Sequence, residues 1–258
     1  MKGLLRWVLL VLVAALALEL FFVVRIATMA VIAPQSTSFQ RSEAWRIATE
    51  KHQLRWRQQW VPYAKISDNL KRAVIASEDG SFTNHDGVDW EAIDKAWQRN
   101  ARAEDMTARH NAREAAMRQP GRSGAPPPPG RATRPPKIVG GSTITQQLAK
   151  NLLLSGERTL VRKGQELMLT FLLERMLNKE RILEIYLNSV EWGEGVFGAE
   201  AAAQHYYRKP ASQLSVYESA RLAVMLPRPR YFERLPNSGY LASRASTIVA
   251  RMRDAELP

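Results

Sequence analysis

The chain has 258 residues, of which 45% are hydrophobic, so it is long enough for one terminal anchor and one globular domain with a sizeable core. Its net charge of +12 favours anionic partners such as nucleic acid, anionic lipid or a phosphorylated substrate, and a solvated basic surface without a specific ligand is the alternative. The absence of cysteine excludes structural disulfides, thiolate metal sites and a cysteine nucleophile.

The first predicted element is a helix over the apolar run from Trp7 to Val24, in which Glu19 is the only charged residue. About 20 apolar residues cross the hydrocarbon core of a bilayer, so we expect an uncleaved transmembrane anchor over 7–30. Basic residues precede the run, so the positive-inside rule leaves residues 1–6 in the cytoplasm and exports the rest. A signal peptide cleaved at 15–17 is the alternative, but the apolar run continues well past that site.

A mixed, mostly polar connector is predicted over 31–66, and a globular domain over 67–258. Trp56 and Trp60 of the connector suit either the membrane interface or, more simply, packing into the domain. The domain is predicted to begin with a helix capped at 67–68.

The segment 101–136 differs from its surroundings, because it is rich in Arg, Ala, Gly and Pro and carries almost no large apolar side chain. Such a composition cannot bury enough surface to fold alone, so we expect an inserted flexible segment. Its first part, 101–117, is compatible with the continuation of a polar helix.

Residues 142–224 have helical patterns almost throughout. Positions 143–146 have the spacing of a capping box, and 166–177 are apolar nearly all round, which predicts a buried central helix. Apolar residues recur at helical spacing over 179–188, and no strand alternation of useful length is present. The exported part is therefore predicted to be mainly α.

Three polar clusters could carry chemistry. The first contains Glu78 beside an apolar stretch, and in a continuous helix it would share one face with Phe82, His85 and Asp89. A carboxylate flanked by apolar groups suits a general acid or base. The alternative is a cap-and-turn cluster in which Asp86 and Asp89 bind backbone amides.

The second and third clusters could bind an anion. Glycines at 140–141 precede a hydroxyl-rich helix start that leaves amides open to an anion, and a polar face of that helix could line a cleft. In the third cluster, Arg162 and Glu166 stand four residues apart, so an ordinary helical ion pair is one interpretation. The other interpretation joins Arg158, Arg162, Lys163 and Lys150 into a site for a diphosphate leaving group.

In their order along the chain, these segments resemble the motif series of the glycosyltransferase family 51 peptidoglycan glycosyltransferases. The matching segments are EDGSFTNHDGVD (78–89), GGSTITQQLAKNL (140–152), RKGQE (162–166), RILEIYLN (181–188), GVFGAEAAAQHYY (195–207) and ESARLAVMLPRP (218–229). The insertion at 101–136 departs from the family pattern. No S-x-x-K or K-T-G motif is present, so we expect the single-domain type without a transpeptidase domain.

The resemblance implies a mainly α, lysozyme-like, two-lobed glycosyltransferase domain after one transmembrane helix. It implies polymerisation of lipid-linked GlcNAc-MurNAc-peptide (lipid II) into glycan strands by an inverting displacement that releases undecaprenyl diphosphate. Glu78 would be the base toward the acceptor 4-hydroxyl, and Glu166 the second catalytic carboxylate. The implied substrate-binding residues are Asp79, Phe82, His85, Ser142, Gln146, Gln147, Lys150, Asn151, Arg158, Arg162, Lys163, Tyr186 and Asn188.

The implied partners are lipid II, the growing lipid-linked glycan chain and membrane lipids, with wall-synthesis or division proteins as candidates and no nucleic acid. No cofactor is required and no metal ligands are assigned, although Mg²⁺ or Mn²⁺ is compatible with the diphosphate. The expected location is the inner (cytoplasmic) membrane, with the domain on its periplasmic or outer face. A lytic glycosidase, a nucleic-acid-binding protein and an inactive scaffold are the rival hypotheses.

Overall fold

A computed structural model describes residues 2–53, 55–117, 140–154 and 159–258. The α-helices in these ranges are α1 (Lys2–Met29), α2 (Ser38–Lys51), α3 (Asp68–Glu78), α4 (Trp90–Met117), α5 (Ile144–Leu153), α6 (Leu160–Met176), α7 (Lys179–Ser189), α8 (Ala199–Tyr207), α9 (Val216–Met225), α10 (Pro229–Glu233) and α11 (Gly239–Arg251). Short 3-10 helices cover Tyr63–Lys65, Phe82–Asn84 and Ala211–Gln213. The mainly α prediction is confirmed.

A small sheet, which the sequence patterns did not predict, joins β1 (Arg57–Gln58), β2 (Glu191–Gly193) and β3 (Val196–Phe197). β3 is central and pairs parallel to β1 and antiparallel to β2. Strands of two or three residues are too short for an alternating pattern to develop. The sheet depends instead on a close approach at Gly195, where an added Cβ would lie 2.1 Å from the carbonyl oxygen of Arg55.

The chain divides into two compact units, one made of 1–88 and 143–258 and the other of 89–142. α4 is the main element of the second unit, and Asp89 caps it by accepting a 2.7 Å hydrogen bond from the amide of Ala92. The predicted polar helix over 101–117 is thus confirmed. The rest of the predicted flexible insertion lies outside the described residues.

The core of the first unit has two main packing centres. α3 packs against α9 and α11, while α5 packs against α6, α2 and α7. Leu70, Val74 and Ile75 bury the inner face of α3. Ser67 caps this helix by accepting a hydrogen bond from the amide of Asn69, as the sequence predicts.

α1 belongs to this core at its C-terminal end only. It is long and apolar enough to cross a membrane, and most of its side chains are exposed. Phe22, Ile26 and Met29 are buried, and Nε of Arg181 on α7 donates a 2.7 Å hydrogen bond to the carbonyl oxygen of Met29. The last two turns of the apolar helix are therefore packed as part of the domain.

The predicted connector contains the helix α2, which a capping box between Thr37 and Gln40 begins. The Trp56 ring lies 4.8 Å from the Phe197 ring, and the Trp60 indole donates a 3.1 Å hydrogen bond to Glu184. Both tryptophans contact the domain, so the packing interpretation is confirmed.

The prediction that residues 166–177 form a buried central helix holds for one face of α6 only. α6 buries Glu166, Leu169, Thr170 and Leu173, whereas the side chain of Phe171 is 45% exposed. An apolar sequence determines which faces of a helix could be buried, but the neighbouring helices cover only one face of α6.

Candidate active site

Glu78 is the last residue of α3, and the chain leaves the helical path immediately after it. Asp79 has φ −160° and ψ 74°, and a separate 3-10 turn follows at Phe82–Asn84. Residues 78–89 therefore do not form the continuous helix that would place these side chains on one face. The turn instead directs Glu78 and Asp79 toward different partners.

Asp79 joins the first sequence motif to the start of α5. One carboxylate oxygen accepts a 2.9 Å hydrogen bond from the amide of Ile144, and the other lies 2.9 Å from Nε2 of His85. Nδ1 of His85 accepts from the amide of Gly87 at 3.1 Å, so Nε2 carries the proton and donates to Asp79. Asp79 and His85 thus hold the turn in place.

Gly87 lies close against α6. Its φ is +85°, and an added Cβ would lie 2.7 Å from Cγ2 of Thr170. The hydroxyl of Thr143 donates a 2.6 Å hydrogen bond to the carbonyl oxygen of Gly87. Asp89 forms a cap, as the cap-and-turn hypothesis requires, while Asp86 is exposed.

Glu78 has a different environment, because its two oxygens accept from side chains rather than from helix amides. Nε2 of Gln147 donates to Oε2 at 3.0 Å, and the hydroxyl of Ser77 donates to Oε1 at 3.4 Å. Burial raises the pKa of Glu78 above its ordinary value, and the negative charge of Asp79 raises it further against the lowering effect of the two hydrogen bonds. The environment of Glu78 therefore makes this carboxylate a stronger base than an ordinary glutamate.

A chain of hydrogen bonds orients Glu78. The buried hydroxyl of Tyr186 donates to Oε1 of Gln147 at 2.9 Å, which fixes the amide so that its nitrogen faces Glu78. Burial first, and the nearby charges of Glu78 and Asp79 next, keep the pKa of Tyr186 well above its ordinary value. Tyr186 is therefore a permanent donor in this chain.

The remaining predicted residues of α5 differ in accessibility. Gln146 is buried in a capping box with Thr143, whereas Lys150 is exposed and Asn151 is half-buried. Ser142 is exposed and belongs to the second compact unit. The structure thus brings Gln147 to Glu78 and assigns the Gln146 side chain to the start of the helix.

The first turns of α6 carry the third cluster. Glu166 is 4% exposed and accepts hydrogen bonds from Arg162, at 3.2 Å, and from Lys163. The predicted helical ion pair is present, and Nε of Arg162 is buried without a hydrogen-bond partner among the described residues. Arg158 lies outside the described residues.

Asn188 is fully buried and connects α7 to the segment before α3 through hydrogen bonds. Its amide exchanges two 2.9 Å hydrogen bonds with the backbone of Val61 and also donates to the carbonyl oxygen of Glu184. These contacts join α7 to the segment before α3, and the substrate-binding role that the resemblance implies for Asn188 stays a prediction.

Lys179 supports the first motif in a way that the sequence did not indicate. Its ammonium donates to the carbonyl oxygen of His85 at 2.6 Å, pairs with Glu174 at 2.9 Å and lies 4.6 Å from the centre of the Phe82 ring. Thr145 also donates to Glu174 at 2.6 Å. No spacing rule could find this network, because its members lie on separate elements.

Metal-ligating groups are sparse in the described part of the chain, where no three His, Asp or Glu side chains come together as a metal site. Both oxygens of Glu166 already accept from cationic side chains. A further cation at this carboxylate would be repelled by Arg162 and Lys163.

The described residues combine a mainly helical domain, a carboxylate of raised pKa, a buried Glu166 paired with Arg162 and Lys163, and an apolar terminal helix. Residues 46–108 and 131–253 match the family model described as Transglycosylase. The chain belongs to this family.

Several curated relatives are about half identical to this chain. The biosynthetic peptidoglycan transglycosylase of Burkholderia thailandensis is 53% identical over 245 residues, which cover 95% of this chain and 84% of the relative. Proteins with the same name from Burkholderia ambifaria and Burkholderia pseudomallei are each 50% identical over 95% of this chain, covering 87% and 84% of the relatives.

Proposed function

We propose that this enzyme polymerises peptidoglycan glycan strands from lipid II and releases undecaprenyl diphosphate. The proposal rests on the environment of Glu78, whose pKa is raised. Gln147 donates a hydrogen bond to this carboxylate, and Tyr186 in turn donates to Gln147. The names of the relatives support the same reaction.

On the acceptor side, Glu78 takes the proton from the 4-hydroxyl of the incoming GlcNAc. A carboxylate with a raised pKa is a stronger base than an ordinary glutamate. The acceptor oxygen then attacks the anomeric carbon of the terminal MurNAc of the growing chain. The bond from that carbon to the diphosphate breaks, which inverts the α-linkage to β.

On the donor side, Arg162, Lys163 and Lys150 stabilise the diphosphate as it leaves. Arg162 and Lys163 are cations at the start of α6, and a guanidinium can bind phosphate oxygens through parallel hydrogen bonds. Glu166 orients Arg162 and Lys163 through its ion pairs. Arg158 is the fourth proposed cation, and no step in this mechanism passes through a metal ion.

The proposed location is the inner membrane, with α1 as the single span and the domain on the outer face. The apolar surface of α1 supports a membrane anchor. An enzyme held at the membrane surface meets its lipid-linked substrate there without leaving the bilayer. The growing lipid-linked strand and membrane lipids are the other proposed partners, and proteins of wall synthesis remain candidates.

The test is polymerisation of labelled lipid II by the detergent-solubilised full chain. Glu78→Gln should reduce the rate of strand formation by a factor of about 10² to 10⁴, which is the contribution of a positioned general base. Glu180→Gln is the matched control, because Glu180 is exposed at the start of α7 and should leave the rate unchanged. Wild-type activity in Glu78→Gln would remove the proposed base.

Thermal unfolding separates loss of catalysis from loss of fold. Because the pKa of Glu78 is raised in the folded protein, its ionised form costs stability at neutral pH, and this cost disappears as pH falls below the ordinary glutamate value. Glu78→Gln should therefore melt at a higher temperature than the wild type at pH 7, with the difference shrinking toward pH 4. A lower melting temperature at pH 7 would mean that Glu78 stabilises the fold instead.

The same preparations distinguish the proposed reaction from hydrolysis. A lytic glycosidase would shorten polymeric peptidoglycan and would need no lipid-linked substrate. The cations around Glu166 suit a diphosphate leaving group, which polymeric glycan lacks. We expect strands from lipid II and unchanged polymer when peptidoglycan alone is supplied.

A further inference from the structure

A basic cleft lies where α1 joins the domain, and we propose that it binds the phosphate group of an anionic phospholipid. The cleft has a volume of about 270 Å³ and lies between the end of α1, the segment 30–37 and the start of α2. Arg25 and Arg41 supply its charge, and no carboxylate is among its lining residues. The proposal does not involve Glu78 and does not depend on the proposed reaction.

The charge of the cleft is unbalanced. Arg25 and Arg41 repel each other electrostatically, and neither forms an ion pair with any residue in the described ranges. Two guanidinium groups at one cavity therefore favour an anion between them. The planar fork of each guanidinium matches the oxygen atoms of a phosphate.

The walls of the cleft are already in place. The guanidinium of Arg41 donates to the carbonyl oxygen and hydroxyl of Ser36, both at 3.2 Å, and to the hydroxyl of Ser38 at 3.1 Å. The neighbouring Gln40 is buried and donates a 3.0 Å hydrogen bond to the carbonyl oxygen of Ser189 on α7. A preformed site loses little free energy to rearrangement when a ligand binds.

The location of the cleft favours a lipid over a soluble anion. Arg25 directly follows the apolar run of α1, so in a membrane it would lie at the level of the lipid headgroups. Val24 on α1 and Val31 and Ile32 beyond its end are at least half exposed, which gives an acyl chain an apolar surface beside the phosphate. A free phosphate would gain nothing from these side chains.

The test measures lipid binding to the full chain in neutral detergent by native mass spectrometry. The probes are phosphatidylglycerol, zwitterionic phosphatidylcholine and soluble glycerol phosphate. We expect phosphatidylglycerol to bind more tightly than the other two. Arg25→Gln and Arg41→Gln should each weaken its binding about tenfold, since a hydrogen bond to a charged group contributes roughly 1.5 kcal/mol.

Arg244→Gln is the matched control, because it removes the same charge from an exposed site on α11. Equal weakening by Arg244→Gln, or unchanged binding in Arg25→Gln, would overturn the proposal. Glycerol phosphate binding as tightly as the lipid would also overturn it, since the cleft would then be a site for soluble anions. If Arg41→Gln fails to fold, Arg25→Gln decides alone, because the Arg25 side chain forms no hydrogen bond with the described residues.

Discussion

Glu78 and Asp79 are adjacent in sequence, yet the fold gives them opposite tasks. Asp79 accepts from the amide of Ile144 and from His85, whereas Glu78 is held by Gln147 in a setting that raises its pKa. Ile144 lies 65 residues after Asp79, and Gln147 lies 69 residues after Glu78, so the partners that distinguish the two roles are distant in sequence. Local sequence alone could therefore identify a carboxylate cluster but could not tell the base from the cap.

Gln147→Met tests whether the hydrogen bond from Gln147 affects the pKa of Glu78. The hydrogen bond from Gln147 lowers the pKa of Glu78, so its removal should raise that pKa further. Because the base must be ionised, the acidic limb of the pH–rate profile for lipid II polymerisation should move to higher pH. Methionine nearly conserves the side-chain volume, and the rate above the limb should fall by about tenfold from lost orientation.

Tyr186→Phe is the companion variant, since it leaves Gln147 in place but removes the hydroxyl that fixes its amide. The acidic limb should move in the same direction and by less than in Gln147→Met. An unchanged limb in both variants would show that this chain of hydrogen bonds does not act on Glu78.

At the scale of elements, helices with a local signal were predicted well. Ser67 and the capping box at Thr143 mark the starts of α3 and α5, and the apolar spacing of α7 matches its buried face. The misses have non-local causes. β3 pairs with β1, which lies far away in sequence. The neighbouring helices determine which side of α6 is buried and which side is exposed.

Thr143→Ala should show how strongly the start of α5 supports the site. The hydroxyl of Thr143 accepts from the amide of Gln146 and donates to the carbonyl oxygen of Gly87, and both partners are buried. Its loss should lower the free energy of unfolding by about 2 kcal/mol, as measured by urea titration. Thr143→Ser keeps the hydroxyl and should lose less than half as much. Equal losses in the two variants would assign the effect to packing of the methyl group.

At the scale of the whole molecule, α1 combines an exposed apolar segment with part of the domain core. The sequence predicted this helix from the length and composition of its apolar run. It did not predict that Ile26 and Met29 would be buried, since an all-apolar helix carries no pattern that marks its docked face. The bond from Arg181 to the end of α1 joins the anchor to the same helix that carries Tyr186.

Paired substitutions in α1 test whether its end stabilises the domain. Ile26 is fully buried, so Ile26→Ala should lower the free energy of unfolding by about 3 kcal/mol in urea titrations of the detergent-solubilised chain. Leu16 lies on the same helix but is 69% exposed, and Leu16→Ala should leave the unfolding midpoint unchanged because detergent contacts its side chain before and after unfolding. If both variants unfold at the wild-type midpoint, α1 acts only as a tether. A loss of stability in Ile26→Ala alone means that the end of α1 folds together with the domain. The proposed anchor would then hold the domain at a fixed depth relative to the membrane instead of through a flexible linker.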